Sequence, residues 1–384
     1  MMRKALAALA VLAAGSLVSP SFAADVQEAP VVHGTVEVYG AAKLSVDMID
    51  TGGKAPADTD LTKVSSNSSR LGFKGKEDLN GALHAVYQVE LGINWDGTTT
   101  RVATGVTNTT TGAVSTTDVN TLSLRNTYAG LQSESAGMLI FGIHDTPYKL
   151  ATGGLDLFAD SMGDYNAIIG NVNGTANFDL RPKDTIHYQS PTWGGFHVRA
   201  ATSTSGTESS NGANSDPSAY SASAVYASGP LYATLAHEIH KNSFTSWDAA
   251  TTITGTKAGV GFAFGGTKLA AVYETLNDDK ANSPFSRNAL YLALSQKLGR
   301  ETIKLAYGIA DDGDNPVTET GATQITAGID HAFSKRTTIY ALYSTMDNDR
   351  DATYGLGQSG AGGAFTPGAG EDPSVVSVGI NHLF

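Results

Sequence analysis

Asp156, Asp160 and Asp164 stand four residues apart in the stretch LDLFADSMGDY. On a short helix that spacing would set three carboxylates on one face, with neighbours about 6 Å apart. Such a row fixes negative charge in place. The same spacing fits an acidic surface loop in water, and these residues alone leave both readings open. Basic side chains recur at period two: Arg70, Lys74 and Lys76 alternate with Leu71, Phe73 and Gly75 in RLGFKGK. HEIH at 237–240 lacks the HExxH spacing of a zinc helix, and on a strand His237 and Glu238 would point to opposite faces. DDGDN at 311–315 lacks the distal glutamate of a calcium loop and reads as a polar loop tip. Ser, His and Asp are plentiful, but no strand–elbow–helix context offers a nucleophile. The chemistry on offer is charge held in position, with no bond made or broken. No catalytic residue, metal site or cofactor is expected.

Charges held in position need walls, and the chain supplies them as strands. Period-two stretches of about ten residues recur throughout, while helical periodicity is scarce. From Glu301 to Ala310, Ile303, Leu305, Tyr307 and Ile309 share one face, and Thr302, Lys304, Ala306 and Gly308 the other. From Ala82 to Gly92, Leu83, Ala85, Tyr87, Val89 and Leu91 alternate with His84, Gln88, Glu90 and Gly92. About 16 such segments run from 34–48 through 69–77, 121–131, 137–144 and 181–190 to 374–384. Tight connections such as Gly265-Gly266 and Leu298-Gly299 alternate with long Thr-, Gly-, Ser- and Asp-rich ones such as Thr98–Asn120 and Asp347–Pro373. This rhythm predicts an all-β transmembrane antiparallel up-and-down β-barrel with one short-turn rim and one long-loop rim.

The first residues point to export. Met1–Lys4 carry two positive charges, Ala5–Val18 form an apolar run, and Ser21-Phe22-Ala23 offers small residues for cleavage. Residues 1–23 are expected to be a signal peptide and 24–384 the barrel; the apolar run is too short to span a membrane as a helix. Without the signal, 23 basic residues face 37 acidic ones, a net charge of −14 (Arg3 and Lys4 are lost), which argues against nucleic acid as a partner. With no cysteine, disulfides, thiolate metal sites and a lipid-bearing cysteine are excluded. In hydrocarbon every backbone polar group must be paired, so a barrel has to close on itself. The closing segment SVVSVGINHLF sets Val376, Val378, Ile380, His382 and Phe384 on one outward face.

Several motifs together resemble one family. SRLGFKGKEDLNGALHAVYQVE (69–90), RNTYAGL (125–131), DTIHYQSPTWGGF (184–196) and DHAFSKRTTIYALY (330–343) are similar, in order, to strands of the trimeric general-diffusion porins of Gram-negative outer membranes. VEVYGAAKLSVD (36–47) resembles their first strand, and Phe384 their terminal assembly signal. The resemblance implies a homotrimer of sixteen-stranded barrels, with residues 145–180 folded inward as a constriction loop. It implies passive diffusion of small hydrophilic solutes and ions across the outer membrane, and no enzyme. It also implies contact with outer-membrane lipid and lipopolysaccharide, recognition by the outer-membrane assembly machinery through Phe384, and a latch role for Thr98–Asn120.

On this reading Asp156, Asp160 and Asp164 form the acidic side of the constriction, and Lys43, Arg70, Lys74, Arg125, Arg181 and Lys183 the basic side. The arginine and lysine residues fall on inward parities of their strands, since an outward Arg or Lys at the midplane would cost roughly 2–4 kcal/mol; simple solvation of a wet lumen would also account for each. One departure stands out: Ile143 in FGIHDTPYK occupies the place where the family often carries arginine. With that charge missing and the acidic loop intact, a weak cation preference is expected. The rival readings are a substrate-specific channel, which needs an aromatic slide that is not visible, a barrel hydrolase, and an adhesin.

Overall fold

The computed structural model describes residues 34–53, 60–97, 100–103, 116–119, 122–176, 178–204, 217–242, 244, 252–279, 286–313, 318–357 and 363–384. The expected signal peptide, residues 1–23, lies outside the described residues. Of the expected latch, a short hairpin pairing Thr100–Ala103 with Thr116–Val119 is described.

Sixteen strands among the described residues form one antiparallel wall. They are β1 (Gly34–Asp50), β2 (two runs, Leu61–Ser66 and Arg70–Asp78), β3 (Leu83–Gly92) and β4 (two runs, Ser123–Leu124 and Thr127–Ser133). Next come β5 (Gly137–Ile143), β6 (Thr185–Gln189), β7 (Phe196–Thr204), β8 (Ser218–Ser228), β9 (Leu231–Lys241) and β10 (Thr252–Phe264). The wall continues through β11 (Thr267–Asp278), β12 (Ser286–Leu298), β13 (Glu301–Ala310), β14 (Ala322–Ala332), β15 (Thr337–Asn348) and β16 (Ser374–Leu383). Each strand pairs with its sequence neighbours, and β16 pairs with β1 from Ala41↔Leu383 to Asp50↔Ser374. The sheet is closed, so no backbone edge is left for lipid to desolvate.

Alternation does the sorting. On β13, Ile303, Leu305 and Tyr307 are exposed on the outer surface, as are Val376, Val378 and Ile380 on β16. The two-residue turn Gly265-Gly266 takes φ of 52° and 87°, the doubly positive geometry that matches strand twist in a tight hairpin.

The inner face is not uniformly wet. Residues 145–176 and 178–180 lie inside the barrel, beginning with the helix α1 (Pro147–Thr152), whose N-cap Thr146 accepts a hydrogen bond from Lys149 N at 3.2 Å. Leu155, Phe158, Met162, Tyr165, Ile168 and Ile169 pack on inward Ala270, Val272, Ala289, Tyr291, Ala293 and Ala306 of β11–β13. Small residues make the room: a Cβ at Gly328 would lie 2.8 Å from the Phe158 ring, and one at Gly255 2.8 Å from Phe178. Each large side chain so buried contributes about 1.5–3 kcal/mol. Ala306 shares the inward face of β13 with Thr302 and Lys304, where alternation alone would set it in water; it is buried beneath the loop, because the loop's apolar side covers that part of the wall.

Buried charge pins the loop to the wall. Glu274 of β11 accepts hydrogen bonds from Tyr148 Oη at 2.8 Å and Gly170 N at 2.8 Å, and pairs with Arg287 of β12 at 2.9 Å. Asp179 pairs with Lys257 of β10 and accepts from Tyr165 Oη at 3.0 Å and Asn166 Nδ2 at 2.8 Å. A buried pair of this kind adds little net stability when intact but is costly to break, so it fixes where the loop sits.

Candidate functional site

The wall left uncovered by the loop carries the charges: Lys43 stands mid-strand on β1, and the arginines sit at or beside strand interruptions. Between the two runs of β2, Ser68 adopts a left-handed backbone (φ 57°), and Arg70 opens the second run. Arg125 lies in the gap between the two runs of β4. Arg181 and Lys183 were expected within a strand spanning 181–190; they precede β6 in irregular chain, just before Asp184 at φ 51°. Interrupted pairing re-aims side chains, so strand parity alone does not place Arg125, Arg181 and Lys183, whereas Arg70 is laddered to Ala41 and Gly92.

Two clusters result. In the first, Lys43 Nζ lies 2.6 Å and Arg70 Nη1 3.4 Å from Asp160 Oδ2, while Arg125 Nε donates to Glu90 Oε1 at 2.8 Å. Arg70 Nε also stands 4.0 Å from Glu90 Oε2, the oxygen that accepts from Tyr39 Oη at 3.0 Å. In the second, Asp145 meets Arg181 at 3.0 Å and Lys149 at 3.8 Å, and accepts from Asn126 Nδ2 at 2.9 Å. Five cations therefore surround three carboxylates. Burial alone would raise the carboxyls of Asp145 and Asp160. The neighbouring cations outweigh it and hold both below the usual carboxylate range.

The three loop aspartates do not form one acidic front. No helix spans 156–164; the segment is a series of tight turns. Asp156 turns into the loop, accepting from Phe158 N at 2.9 Å, Tyr165 N at 3.2 Å and Tyr291 Oη at 3.1 Å. Asp164 caps the turn Tyr165–Ala167 through Asn166 N at 2.8 Å and accepts from Asp160 N at 2.9 Å. That second bond helps hold Asp160 in its left-handed conformation (φ 56°), which turns its carboxylate toward Lys43 and Arg70. Burial pushes the Asp156 carboxyl up to about 6; burial and then the Asp156 charge push Asp164 well above the ordinary range.

The other expected site residues fall outside both clusters. Lys74 pairs with Glu37 at 3.2 Å and lies over the Tyr39 ring on an exposed part of the wall. Lys183 is exposed and meets no carboxylate among the described residues. The Phe384 backbone exchanges hydrogen bonds with Gly40 at 2.9 and 3.1 Å. In HEIH, His237 is exposed, while Glu238 and His240 are buried and hydrogen-bonded at 2.8 Å. Glu90, Asp145 and Lys149 were not singled out from sequence. The inward parity of Glu90 was readable from its strand, whereas Asp145 and Lys149 depend on how the loop enters the lumen.

A closed sixteen-stranded wall with a loop pinned inside and paired charges facing the lumen defines a transmembrane channel. The family model of the Gram-negative porins matches residues 5–351, and the chain belongs to that family. Outer membrane porin protein 32 of Delftia acidovorans is 26% identical over 392 residues, covering 100% of both chains. The solved structure titled as an anion-selective porin from Comamonas acidovorans has a TM-score of 0.73 at 24% identity, covering 92% of this chain and 100% of its own. The trimer form of OmpT from Vibrio cholerae has a TM-score of 0.60 at 16% identity, covering 91% and 99%. The protein is thus an outer-membrane channel for passive diffusion and not an enzyme.

Proposed function

We propose that solutes pass between the inward loop and the basic wall, filtered by size and by a transverse field, with a preference for anions. The observation that carries this is the balance at the narrowing: Lys43, Arg70, Arg125, Lys149 and Arg181 against Asp160, Glu90 and Asp145. Asp156 and Asp164 serve the loop's own backbone, which removes two of the three carboxylates behind the cation preference expected from sequence. The relative described as anion-selective supports the same direction. A narrow lumen focuses the field of its wall charges. The screening length, near 10 Å at about 0.1 M salt, leaves charges at the narrowing dominant over those on distant loop tips.

The channel works as a homotrimer in contact with outer-membrane lipid and lipopolysaccharide, and the assembly machinery reads Phe384. The solutes are small and hydrophilic. The test of selectivity is the reversal potential across a tenfold KCl gradient in a planar bilayer. A potential of the sign set by chloride supports the reading, and one set by potassium overturns it.

A further inference from the structure

Beneath the inward loop, toward the short-turn rim, two cavities adjoin. The first, of about 590 Å³, is lined by Lys268, Lys297 and Lys304, with Asp156 and Asp330 as its two carboxylates; Asp156 is held by Phe158 N, Tyr165 N and Tyr291 Oη. Register explains why three ammonium groups meet there. Lys268, Ser295 and Lys304 stand abreast on β11, β12 and β13, and Lys297, Thr302 and Asp330 form the next inward row on β12, β13 and β14. Neighbouring strands lie about 4.8 Å apart, so side chains in these rows reach a common centre. Lys304 is engaged by Asp330 at 2.9 Å and by the Phe158 ring at 4.6 Å. Lys268 and Lys297 meet no carboxylate among the described residues.

The second cavity, of about 280 Å³, is apolar, with Leu150, Leu155, Leu157 and Tyr232 in its lining. It shares Gly154, Leu157, Ala263 and Lys268 with the first, so a greasy slot opens directly onto an ammonium group that makes no ion pair among the described residues. We propose that this paired niche binds a small organic monocarboxylate with an aromatic or branched aliphatic body. The carboxylate accepts from Lys268 and Lys297, and the body fills the leucine slot. An inorganic anion would leave the slot empty, and an organic cation would meet Lys268. None of its lining residues belongs to the Lys43–Asp160 or the Asp145 cluster, and an occupant there would obstruct the lumen. The proposal rests on the channel assignment but not on the sign of its ion preference.

Phenylacetate is the probe, added on the short-turn side of single channels in KCl and compared with acetate and benzylamine at equal ionic strength. The expected result is a saturable fall in conductance with phenylacetate, half-maximal at a concentration roughly fivefold below that for acetate, and none with benzylamine. Lys268→Gln/Lys297→Gln should raise the half-effect concentration roughly fivefold, read against the variant's own unblocked conductance, and Lys268→Arg/Lys297→Arg should restore it. Leu157→Asn, which keeps both ammonium groups, should narrow the gap between phenylacetate and acetate. A non-saturating decline equal for both acids overturns the proposal, as does saturable block unchanged in the glutamine pair. Failure of the anion preference is read separately, from the unmodified channel in KCl alone.

Discussion

Gly40 and Phe384 lie against one another across the seam that closes the barrel. Their main chains exchange two hydrogen bonds, and a Cβ at position 40 would stand 2.3 Å from Cζ of the ring. The seam thus accepts a ring on one side only if the other side has no side chain. Gly40→Ala should destabilise the closed barrel by about 1–3 kcal/mol, the usual cost of overpacking. Loss of the heat-modifiable band at a lower temperature would register it. Adding Phe384→Ala should recover part of the loss, because the nearest clash is with the ring while Arg70 O, 2.8 Å from the same Cβ, remains; equal loss in the single and double variants would contradict the relationship.

Asp160 is the loop carboxylate that meets the basic wall, so its removal should be felt in selectivity. Asp160→Asn should raise the chloride-to-potassium permeability ratio roughly twofold, and Lys43→Gln should lower it by a similar factor. Reversal potentials of the two variants moving in the same direction would contradict the assignment.

Asp156 offers a pH handle. Its carboxyl, raised to about 6 by burial, gains a proton as pH falls from 7 to 5, which removes negative charge from the loop. Stability follows the same linkage. The folded-state value lies above the ordinary one, so this group's contribution is complete below about pH 4 and is lost as pH rises through about 6. Hydrogen exchange at the amides of 163–169 should be slower at pH 5 than at pH 7, after correction for the intrinsic rate.

Lys257 and Asp179 anchor the loop without touching the pathway. Lys257→Met leaves a buried carboxylate without its cation and should cost about 3–5 kcal/mol in denaturant-induced unfolding. Lys257→Met/Asp179→Asn should cost less than the single change, because the uncompensated charge is gone. A double variant as unstable as the sum of the singles would mean that the two do not act as a pair.

Alternation itself is testable with a membrane-impermeant thiol reagent on single cysteines. Thr302→Cys and Lys304→Cys should react, and Ile303→Cys, Leu305→Cys and Tyr307→Cys should not. Ala306→Cys, inward but covered by the loop, should also stay silent until the loop is released. Labelling of Leu305→Cys equal to that of Lys304→Cys would contradict the barrel orientation.

The barrel was legible because a lipid-facing strand cannot hide its period. Ile303, Leu305 and Tyr307 show the outer face directly, and the tight glycine turns mark one rim. The site was less legible. Arg70 was placed by alternation and is laddered to Ala41 and Gly92 on that parity, whereas Arg125 and Arg181, assigned inward parities too, lie in chain outside the strand runs. Asp156 and Asp164 were read from spacing as partners of Asp160, although their oxygens satisfy the loop's own amides. The inward Gly and Ala positions of β10–β14 did carry a signal. Small residues facing a supposedly wet lumen mean that something packs there, and Ala306 beneath the loop is an instance.

The seam sets the order in which the wall can form. Ser377 Oγ donates to Asp47 Oδ1 at 2.6 Å across 330 residues of chain, so β1 stays without one neighbour until β16 has been made. Contacts this distant in sequence make folding slow, and until they form the sheet exposes two open edges able to pair with any other chain. The wall therefore closes only when its last strand is in place, and until then each open edge is a template on which a neighbouring chain can pair.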